Sequence, residues 1–399
     1  MIHDRRTFVT LSAVSLLAAC SGTKEGAPTS APSTSPESSS PSGSASAASE
    51  SPTPTPSPSP TLTVPAEPPV PAIDHVPVAA EDLRTLIRQK GGSVINLEPK
   101  VYDVALDAKN VGLNLTVAGT TLDLTAGAVI RLKPNAQPVH SLLQISAPDC
   151  VVRGGVFIGD TDGHDGAKGG EWGFGIRVAE KGHRALVDSV VCHSFWGDGL
   201  YVGGNAQDVR ITNCTSFRNR RNGMSIVHSR GTVVEGGFFG YTHKTLGVSP
   251  LAGICLETHT NQEIVGAQLA NVTMAGCPGH GLLVIGTAGP VGLDVRELSA
   301  SGSDIGVTIG GPLVTATVES SRSFRNARHG FQSIVGSTAN FVSCASSHNG
   351  VSGFYLASPA CVVRNCTSNN DGVDPTSAFL VDPSAQGQAQ VIDSHGTGH

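Results

Sequence analysis

The stretch Asn219-Arg220-Arg221-Asn222-Gly223-Met224-Ser225-Ile226 contains the pattern that decides the fold, a glycine followed by alternating apolar residues. This glycine–apolar pair recurs along the chain, with alanine replacing glycine in the last instance. Successive apolar anchors are 24, 24, 30, 28, 25, 24, 23 and 25 residues apart, and such a spacing indicates a solenoid. The anchors are Ile176, Leu200, Met224, Ile254, Leu282, Val307, Phe331, Phe354 and Phe379.

Between the anchors lie further short β-type segments, separated by Gly, Asn and Asp turns and without the 3.6-residue period of a helix. Several short strands per 24 residues predict one coil of a parallel β-helix, in which neighbouring coils stack about 4.8 Å apart. The turn sequences Ser216-Phe217-Arg218-Asn219 and Ser323-Phe324-Arg325-Asn326 are nearly equivalent in position. Their asparagines are therefore predicted to form a structural ladder.

The ends of such a solenoid are open sheet edges, which need covers. Residues Glu81 to Lys90 carry Leu83, Leu86 and Ile87 at helical spacing, and Gly91-Gly92 follows as a stop signal. The sequence therefore predicts an N-terminal capping helix.

The N-terminus has the layout of an export signal. Arg5 and Arg6 precede an uncharged run from Val9 to Ala19, which is too short to span a bilayer. The tetrapeptide Leu17-Ala18-Ala19-Cys20 resembles the lipobox of bacterial lipoproteins, in which the cysteine is lipidated, and the arginine pair resembles a twin-arginine signal. The alternative is a plain secretory signal in which Cys20 has no role.

The segment after this leader has the composition of a linker. Residues 21 to 60 contain 14 Ser, 9 Pro and 5 Thr, which neither bury apolar area nor sustain a helix. The predicted organisation is a signal peptide over 1–19, a disordered tether over 20–76 and a β-helix domain over 77–399.

Composition excludes some functions. A net charge of −6 with scattered Lys and Arg argues against a nucleic-acid partner, and 48 glycines with 5% aromatic residues argue against a conventional helical enzyme. Eight cysteines follow Cys20 inside apolar segments, so we expect mostly free core thiols, with a Cys361–Cys366 disulfide as the alternative. No CxxC pair supports a zinc site.

Over about residues 79 to 399 the chain resembles the pectate lyase-like right-handed parallel β-helix superfamily. More narrowly, four successive segments resemble a subgroup of bacterial and phage tailspike-like proteins that act on polysaccharides. The resemblance implies an all-β, single-stranded right-handed parallel β-helix, and trimers occur among such relatives. This chain has Cys255 where that pattern commonly has an Asp. The four segments are Gly170-Glu171-Trp172-Gly173-Phe174-Gly175-Ile176, Phe195-Trp196-Gly197-Asp198-Gly199-Leu200-Tyr201, Asn219-Arg220-Arg221-Asn222-Gly223-Met224-Ser225-Ile226 and Ala252-Gly253-Ile254-Cys255-Leu256-Glu257.

Counting back from the anchors places Trp172, Trp196 and Arg220 in register on adjacent coils, so the two tryptophans are predicted to stack on each other. Neighbouring positions add carboxylates, arginines and aromatic residues to form a patch about 15 Å long. Such a patch suits a sugar chain, whose ring faces stack on indole and whose polar groups bind charged side chains. The alternative is that both tryptophans pack turns. The patch also contains Glu171, Arg177, Asp198, Tyr201 and Asn222.

Two chemistries compete for this patch. Hydrolysis needs two carboxyl groups roughly 5 to 9.5 Å apart, and Asp198 could pair either with Glu171 or with an Asp of the loop 160–165, with Asp198 as the first choice. Strand spacings put Asp198 and Glu257 roughly 19 Å apart, which excludes them as that pair. Elimination needs a cation for a uronate carboxylate and a base, although an arginine bound to Asp198 could equally be a structural ion pair. The residues that suit elimination are Arg220, Arg221 and Tyr201.

Two further clusters carry ligand-type side chains. His228, Glu257 and His259 fall on adjacent coils and either ligate a metal or are hydrated surface groups; we expect His228 and Glu257 to contact substrate. The insertion from residue 159 to 171 either binds Ca²⁺ through carboxylates or is a solvated polar loop. Its carboxylates are Asp160, Asp162 and Asp165.

Together these features predict an exported protein, anchored by lipid to the outer face of the bacterial cell membrane, that binds a polysaccharide. The predicted activity is cleavage of that polysaccharide by a lyase or glycoside hydrolase reaction. The alternative is a non-catalytic glycan-binding or structural surface lipoprotein.

Overall fold

The computed structural model describes residues 62–73, 77–79, 81–165, 170–243, 245–372 and 375–397. All of them belong to one compact unit, Pro60–His399. The predicted signal peptide, the lipidation site Cys20 and the tether up to residue 61 lie outside the described residues.

The described chain winds through three parallel sheets, named A, B and C, in about 12 turns of roughly 25 residues. Sheet A contains Pro77–Ala79, Val101–Val104, Val129–Leu132, Val156–Ile158, Val191–His193, Thr215–Phe217, Phe238–Gly240, Thr273–Ala275, Ser299–Ser301, Arg322–Phe324, Ala345–Ser347, Thr367–Asn369 and His395–Thr397. Sheet B contains Val94–Asn96, Thr121–Asp123, Val151–Arg153, Leu186–Asp188, Ala206–Gln207, Arg210–Thr212, Ser229–Arg230, Val233–Glu235, Ile264–Ala270, Val291–Arg296, Val314–Glu319, Thr338–Val342, Cys361–Arg364 and Gln390–Ile392. Sheet C contains Val111–Leu115, Val139–Ile145, Trp172–Val178, Leu200–Val202, Met224–Ile226, Ile254–Glu257, His280–Ile285, Ile305–Gly310, His329–Ser333, Ser352–Leu356 and Phe379–Val381.

The apolar anchors of the sequence all lie in sheet C. Leu200 pairs with Ile176 on one side and Met224 on the other, and the same register continues through the later anchors to Phe379. Each anchor packs in the interior against the anchors of adjacent coils, and all except the partly buried Phe379 are buried. The period therefore identifies the strand that is repeated, and the predicted β-helix is confirmed.

The interior is narrow and apolar. The rings of Phe331 and Phe354 stack 4.9 Å apart, and Phe379 follows at 5.1 Å from Phe354. The eight described cysteines are buried and form no disulfide, as predicted for core thiols, and Cys361 is therefore not bonded to Cys366.

Cover at the N-terminal end comes from a single helix, Glu81–Gln89. Its Leu83 and Ile87 are buried against the first coils, and Gly92 after the helix has φ +83, in the left-handed region that glycine allows. Three short 3₁₀ segments, Thr161–Gly163, Pro375–Ala378 and Pro383–Ala385, lie in loops. Among the described residues no helix is long and apolar enough to cross a membrane.

Candidate functional site

The candidate site lies where the chain turns from sheet A into sheet C, called here the A–C corner. Four charged residues from four segments meet there: Glu171 before the strand Trp172–Val178, Asp198 before Leu200–Val202, Arg221 before Met224–Ile226, and Glu257 at the end of Ile254–Glu257. We call them the Arg221 cluster. Because strands of successive coils are in register, residues far apart in sequence become neighbours at this corner.

Arg221 is the centre of the cluster, and its side chain is only 7% exposed. Its Nη1 donates to Asp198 Oδ2 at 3.2 Å, and its Nη2 donates to Glu257 Oε1 at 2.6 Å. Its Nε lies 3.6 Å from Glu171 Oε2. Burial disfavours the charged guanidinium, but Asp198 and Glu257 outweigh burial and hold the pKa of Arg221 well above its ordinary value. One buried cation therefore holds three carboxylates.

Asp198 lies beneath this cation, and its side chain is fully buried. Its Oδ1 accepts a hydrogen bond from the backbone N of Asn222 at 3.1 Å. Burial raises the pKa of Asp198 to about 6, although Arg221 favours the ionised form. Asp198 thus reaches a surface ligand only through Arg221.

The estimate that separated Asp198 from Glu257 by roughly 19 Å was wrong. Both carboxylates contact the same guanidinium, so their nearest oxygens are at most about 8 Å apart. The estimate treated the five positions between them as one straight strand. The chain instead bends at the corner, and the long side chain of Arg221 bridges the two groups.

Glu171 and Glu257 are the members of the cluster that face solvent. Their side chains are 35% and 25% exposed. Because both contact Arg221, their nearest oxygens lie within about 9 Å of each other. The predicted partner of Glu257, His228, is half-buried, and no hydrogen bond or ion pair joins the two in the described chain.

Asn222 was expected to bind substrate, but it supports the turn. Its side chain is fully buried, its Nδ2 donates to Ser225 Oγ at 3.0 Å, and its Oδ1 accepts from the backbone N of Ala252 at 2.9 Å. Both ends of the amide are therefore engaged within the protein.

A second cation lies beside the cluster on the outer face of sheet C. The guanidinium of Arg177 is 5.7 Å from the ring centroids of both Phe174 and Tyr201. Its buried Nε has no hydrogen-bond partner, and no carboxylate of the described residues pairs with it. Burial raises the pKa of Tyr201 to about 12, so this candidate base is a neutral phenol near pH 7.

The two tryptophans do not stack on each other, contrary to the prediction. His164 lies 3.9 Å from the ring centroid of Trp196 in a stacked orientation, and the guanidinium of Arg220 also lies 3.9 Å from it. These two groups occupy both faces of the indole, and Trp196 is buried. Trp172 is instead 42% exposed at the start of its strand. The turn-packing alternative holds for Trp196.

Arg220 is a structural residue of this corner. Its Nη1 donates to the carbonyls of Gly170 at 2.7 Å and Trp196 at 3.3 Å, and its Nε donates to the carbonyl of Leu246 at 3.0 Å. These bonds join the segments of Gly170, Trp196 and Leu246 to one guanidinium. The catalytic role predicted for Arg220 stays a prediction.

The inserted loop places the predicted candidate Asp160 between two histidines, an arrangement that sequence reasoning missed. Asp160 is buried, with Oδ2 2.7 Å from His164 Nδ1 and bonded to Asn135 Nδ2 at 2.6 Å, while His140 Nε2 lies 3.5 Å from Oδ1. Burial opposes ionisation of Asp160, but His140 and His164 hold its pKa below the ordinary value. A buried carboxylate between two histidines gave no local sequence signal, because the three residues come from two coils.

The two other carboxylates of this loop, Asp162 and Asp165, are exposed. No group of three His, Cys, Asp or Glu side chains converges as metal ligands in the part of the chain that the structure describes. Calcium binding by Asp160, Asp162 and Asp165 stays a prediction.

The sequence matches no protein-family model. It also matches no curated protein. Solved structures do match. The A-module of the Azotobacter vinelandii mannuronan C-5 epimerase AlgE4 aligns with a TM-score of 0.60 at 12% identity, over 79% of this chain and 90% of that chain. The Dettilon tailspike protein gp208 aligns at 0.52 and 13% identity, over 77% of this chain and 63% of that chain.

A third solved structure is the tailspike protein gp49 of the Acinetobacter baumannii bacteriophage Fri1, a capsular polysaccharide depolymerase. It aligns with a TM-score of 0.50 at 11% identity, over 82% of this chain and 60% of that chain. The chain thus spans less than two thirds of either tailspike. Likeness at this level of identity concerns architecture alone. The chain has a right-handed parallel β-helix fold, as its sequence predicts.

Proposed function

We propose that this β-helix hydrolyses a polysaccharide bound along the outer face of sheet C, with Glu171 and Glu257 as the reacting carboxyl pair. The observation that carries the proposal is their placement, since both are partly exposed and lie within about 9 Å of each other across Arg221. Glycoside hydrolysis uses two carboxyl groups roughly 5 to 9.5 Å apart, one as acid and one as base or nucleophile.

The contacts of Arg221 differentiate the two carboxylates. Arg221 donates to Glu257 at 2.6 Å, a charge-assisted bond that fixes this carboxylate in place, and we assign Glu257 the role of base or nucleophile. Glu171 lies 3.6 Å from Arg221 Nε, beyond a hydrogen bond, and we assign it the role of the acid. Asp198 is a positioning residue, because it is buried and acts by holding Arg221 from below.

The surface beside Glu171 suits a sugar ring. Trp172 exposes 42% of its surface, and Val139, its register partner on the preceding coil, exposes 40%. Sugar rings present apolar faces that stack on indole. The relatives in fold that are named for their activity modify or depolymerise polysaccharides, which supports a glycan as substrate.

The experiment is an assay of the full chain against a panel of neutral and uronate-containing polysaccharides. New reducing ends without the absorbance of unsaturated uronides are the expected product. Glu171→Gln and Glu257→Gln should each lower turnover by about 10² to 10⁴-fold while retaining binding. The matched control is Glu319→Gln, an exposed carboxylate on the outer face of sheet B, which should keep full turnover. Unchanged turnover in both Glu171→Gln and Glu257→Gln would contradict the proposal.

Elimination is the second candidate, and Arg177 favours it. This cation has no carboxylate partner among the described residues and lies beside Tyr201, so it could neutralise the carboxylate of a uronate sugar. Absorbance of unsaturated uronides in the same assay would select elimination. Retention on a glycan column without any product would select the non-catalytic binding protein.

We also propose that the protein is exported and lipid-anchored through Cys20, because the leader has a charged start, an apolar run and a lipobox-like end. Polysaccharides of the kind named above lie outside the cytoplasm. Fractionation of the cell envelope tests the anchor: the wild type should remain with the membrane, and Cys20→Ala should be lost from it.

A further inference from the structure

The end of the predicted tether lies on the β-helix. Residues 62–73 contact the row of residues that follow successive strands of sheet A, called here the corner row. Tyr241 Oη donates to the carbonyl of Pro65 at 2.7 Å, and Arg218 forms an ion pair with Glu67. Val64 packs on Gly302, where an added Cβ would lie 2.8 Å from Val64 Cγ1. The corner row consists of Arg218, Tyr241, Gly276, Gly302 and Arg325.

These contacts follow the solenoid axis in one direction. Glu67, Pro65 and Val64 meet positions on successively later coils, so the segment runs antiparallel to the winding. The strand before Gly302 is eight strand spacings from Pro77–Ala79, or about 38 Å. The thirteen residue steps from Val64 to Pro77 can span at most about 45 Å. The available chain length is therefore only slightly greater than the distance to be spanned.

The composition of the segment also favours an extended conformation. Prolines restrict the chain to extended conformations and reduce the entropy lost on docking. Residues 62–73 contain four of them, Pro65, Pro68, Pro69 and Pro71.

The two polar contacts of the segment lie next to the candidate site. Arg218 is two residues before Arg220, and Tyr241 is the residue from which the loop 242–251 starts. That loop meets Arg220 twice, because Arg220 Nε donates to the carbonyl of Leu246 at 3.0 Å and the backbone N of Val248 donates to the carbonyl of Arg220 at 3.0 Å. Docking of the segment therefore fixes both chain segments that meet at Arg220.

We propose that residues 62–67 form a latch, an intramolecular strap that docks on the corner row and holds the loop residues 245–251 against the A–C corner. Release of the latch frees these loop residues at the corner. This inference does not depend on the proposed hydrolysis.

The first test is limited proteolysis of the full chain with elastase, which cuts after small apolar residues such as Ala66 and Ala72. Arg218→Ala should raise cleavage at these two sites about fivefold, since a partly exposed ion pair contributes up to about 1 kcal/mol. Arg325→Ala is the matched control, because Arg325 has the same place in the corner row but no hydrogen bond or ion pair with the described residues 62–73; its cleavage rate should equal that of the wild type. Equal rates in both variants would overturn the latch.

The second test measures amide hydrogen exchange in residues 245–251. Exchange should be about two- to fivefold faster in Arg218→Ala, and the exchanged charges of Glu67→Arg with Arg218→Glu should restore the wild-type rate. Tyr241→Phe, which keeps the ring but loses the bond to Pro65, should act in the same direction as Arg218→Ala. Faster proteolysis with unchanged exchange in this loop would refute the coupling.

Discussion

Two nine-residue segments of the chain, 216–224 and 323–331, differ at only three positions. They read Ser-Phe-Arg-Asn-Arg-Arg-Asn-Gly-Met and Ser-Phe-Arg-Asn-Ala-Arg-His-Gly-Phe. Their turns are equivalent, since each serine Oγ donates to the carbonyl of the glycine seven residues later, at 2.7 and 2.8 Å, and each asparagine Nδ2 donates to that serine, at 2.9 and 3.0 Å. The local sequence is sufficient to determine this turn.

The two segments differ in the environment of their sixth residue, which is Arg221 in the first and Arg328 in the second. Arg221 is buried and holds Asp198, Glu257 and Glu171, whereas Arg328 is 42% exposed and donates to Asp304 of the preceding coil. The same arginine at the same place in the same turn is thus a buried cation in one coil and a surface ion pair in another. Neighbouring coils, and not the turn itself, set the chemistry of this position.

The largest effect that follows from this comparison is on stability. Arg221→Met should lower the free energy of unfolding by about 3 to 5 kcal/mol, because it leaves the buried carboxylate of Asp198 without its cation. Arg328→Met should cost about 1 kcal/mol or less, as expected for an exposed pair. Denaturant unfolding of both variants measures the difference.

A double variant sharpens this prediction. Arg221→Met combined with Asp198→Asn removes the unpaired charge together with its cation, so it should recover part of the loss. Equal losses for Arg221→Met and Arg328→Met would show that the turn, and not the adjacent coils, determines the energetics of this position.

The fold was accessible from the sequence because its signal is local and repeated. Each anchor glycine and the apolar residue after it mark one strand of sheet C, and the spacing alone gives the coil. The candidate site was only partly accessible. Register correctly brought Glu171, Asp198 and Arg221 together on adjacent coils, but it could not give the direction of long side chains.

Two errors at the site have the same physical origin. Glu257 was excluded as the reacting partner of Asp198 because the corner was treated as a straight strand. Trp196 was assigned to the sugar-binding surface because the path of the inserted loop, which brings His164 onto the indole, has no periodic signal. Loops of irregular length follow contacts made in three dimensions, which a one-dimensional period does not contain.

The next effect in size is a dependence of stability on pH. Burial raises the pKa of Asp198 to about 6 from 3.8, so the folded protein binds the proton of this group more tightly than the unfolded chain does. Its contribution to stability is therefore greatest below pH 3.8 and is lost as the pH rises through 6. The change amounts to about 3 kcal/mol for a shift of this size.

The measurement compares the wild type with Asp198→Asn, which cannot titrate, by denaturant unfolding from pH 4 to pH 7. Relative to this variant the wild type should lose about 2.4 kcal/mol over that range, because the unfolded carboxyl is already partly ionised at pH 4. Asp304→Asn, at the corresponding ion pair with Arg328, provides the background from other groups. A wild type that gains stability over Asp198→Asn between pH 4 and pH 7 would contradict the raised pKa.

The smallest expected effect on stability comes from the asparagine hydrogen bonds that both segments contain. Asn219 Oδ1 accepts from the backbone N of Phe195 at 3.1 Å, and Asn326 Oδ1 accepts from the backbone N of Ser303 at 3.0 Å. Asn219→Ala and Asn326→Ala each leave a buried N–H without its acceptor, so each should cost about 2 kcal/mol, and the two losses should agree within about 1 kcal/mol. Asn340→Ala, on the outer face of sheet B, is the control and should change stability by about 0.5 kcal/mol or less.

Equal losses of unfolding free energy at Asn219 and Asn326 would mean that the turn forms independently of the charge cluster. The Ser–Asn bonds would then fix the backbone in both segments, and the residues of adjacent coils would determine which charged groups surround the arginine. A much larger loss at Asn219 than at Asn326 would instead mean that the Arg221 cluster depends on this turn for its geometry. In that case the segment 216–224 could not be exchanged for 323–331 without loss of the site, even though the two backbones are equivalent.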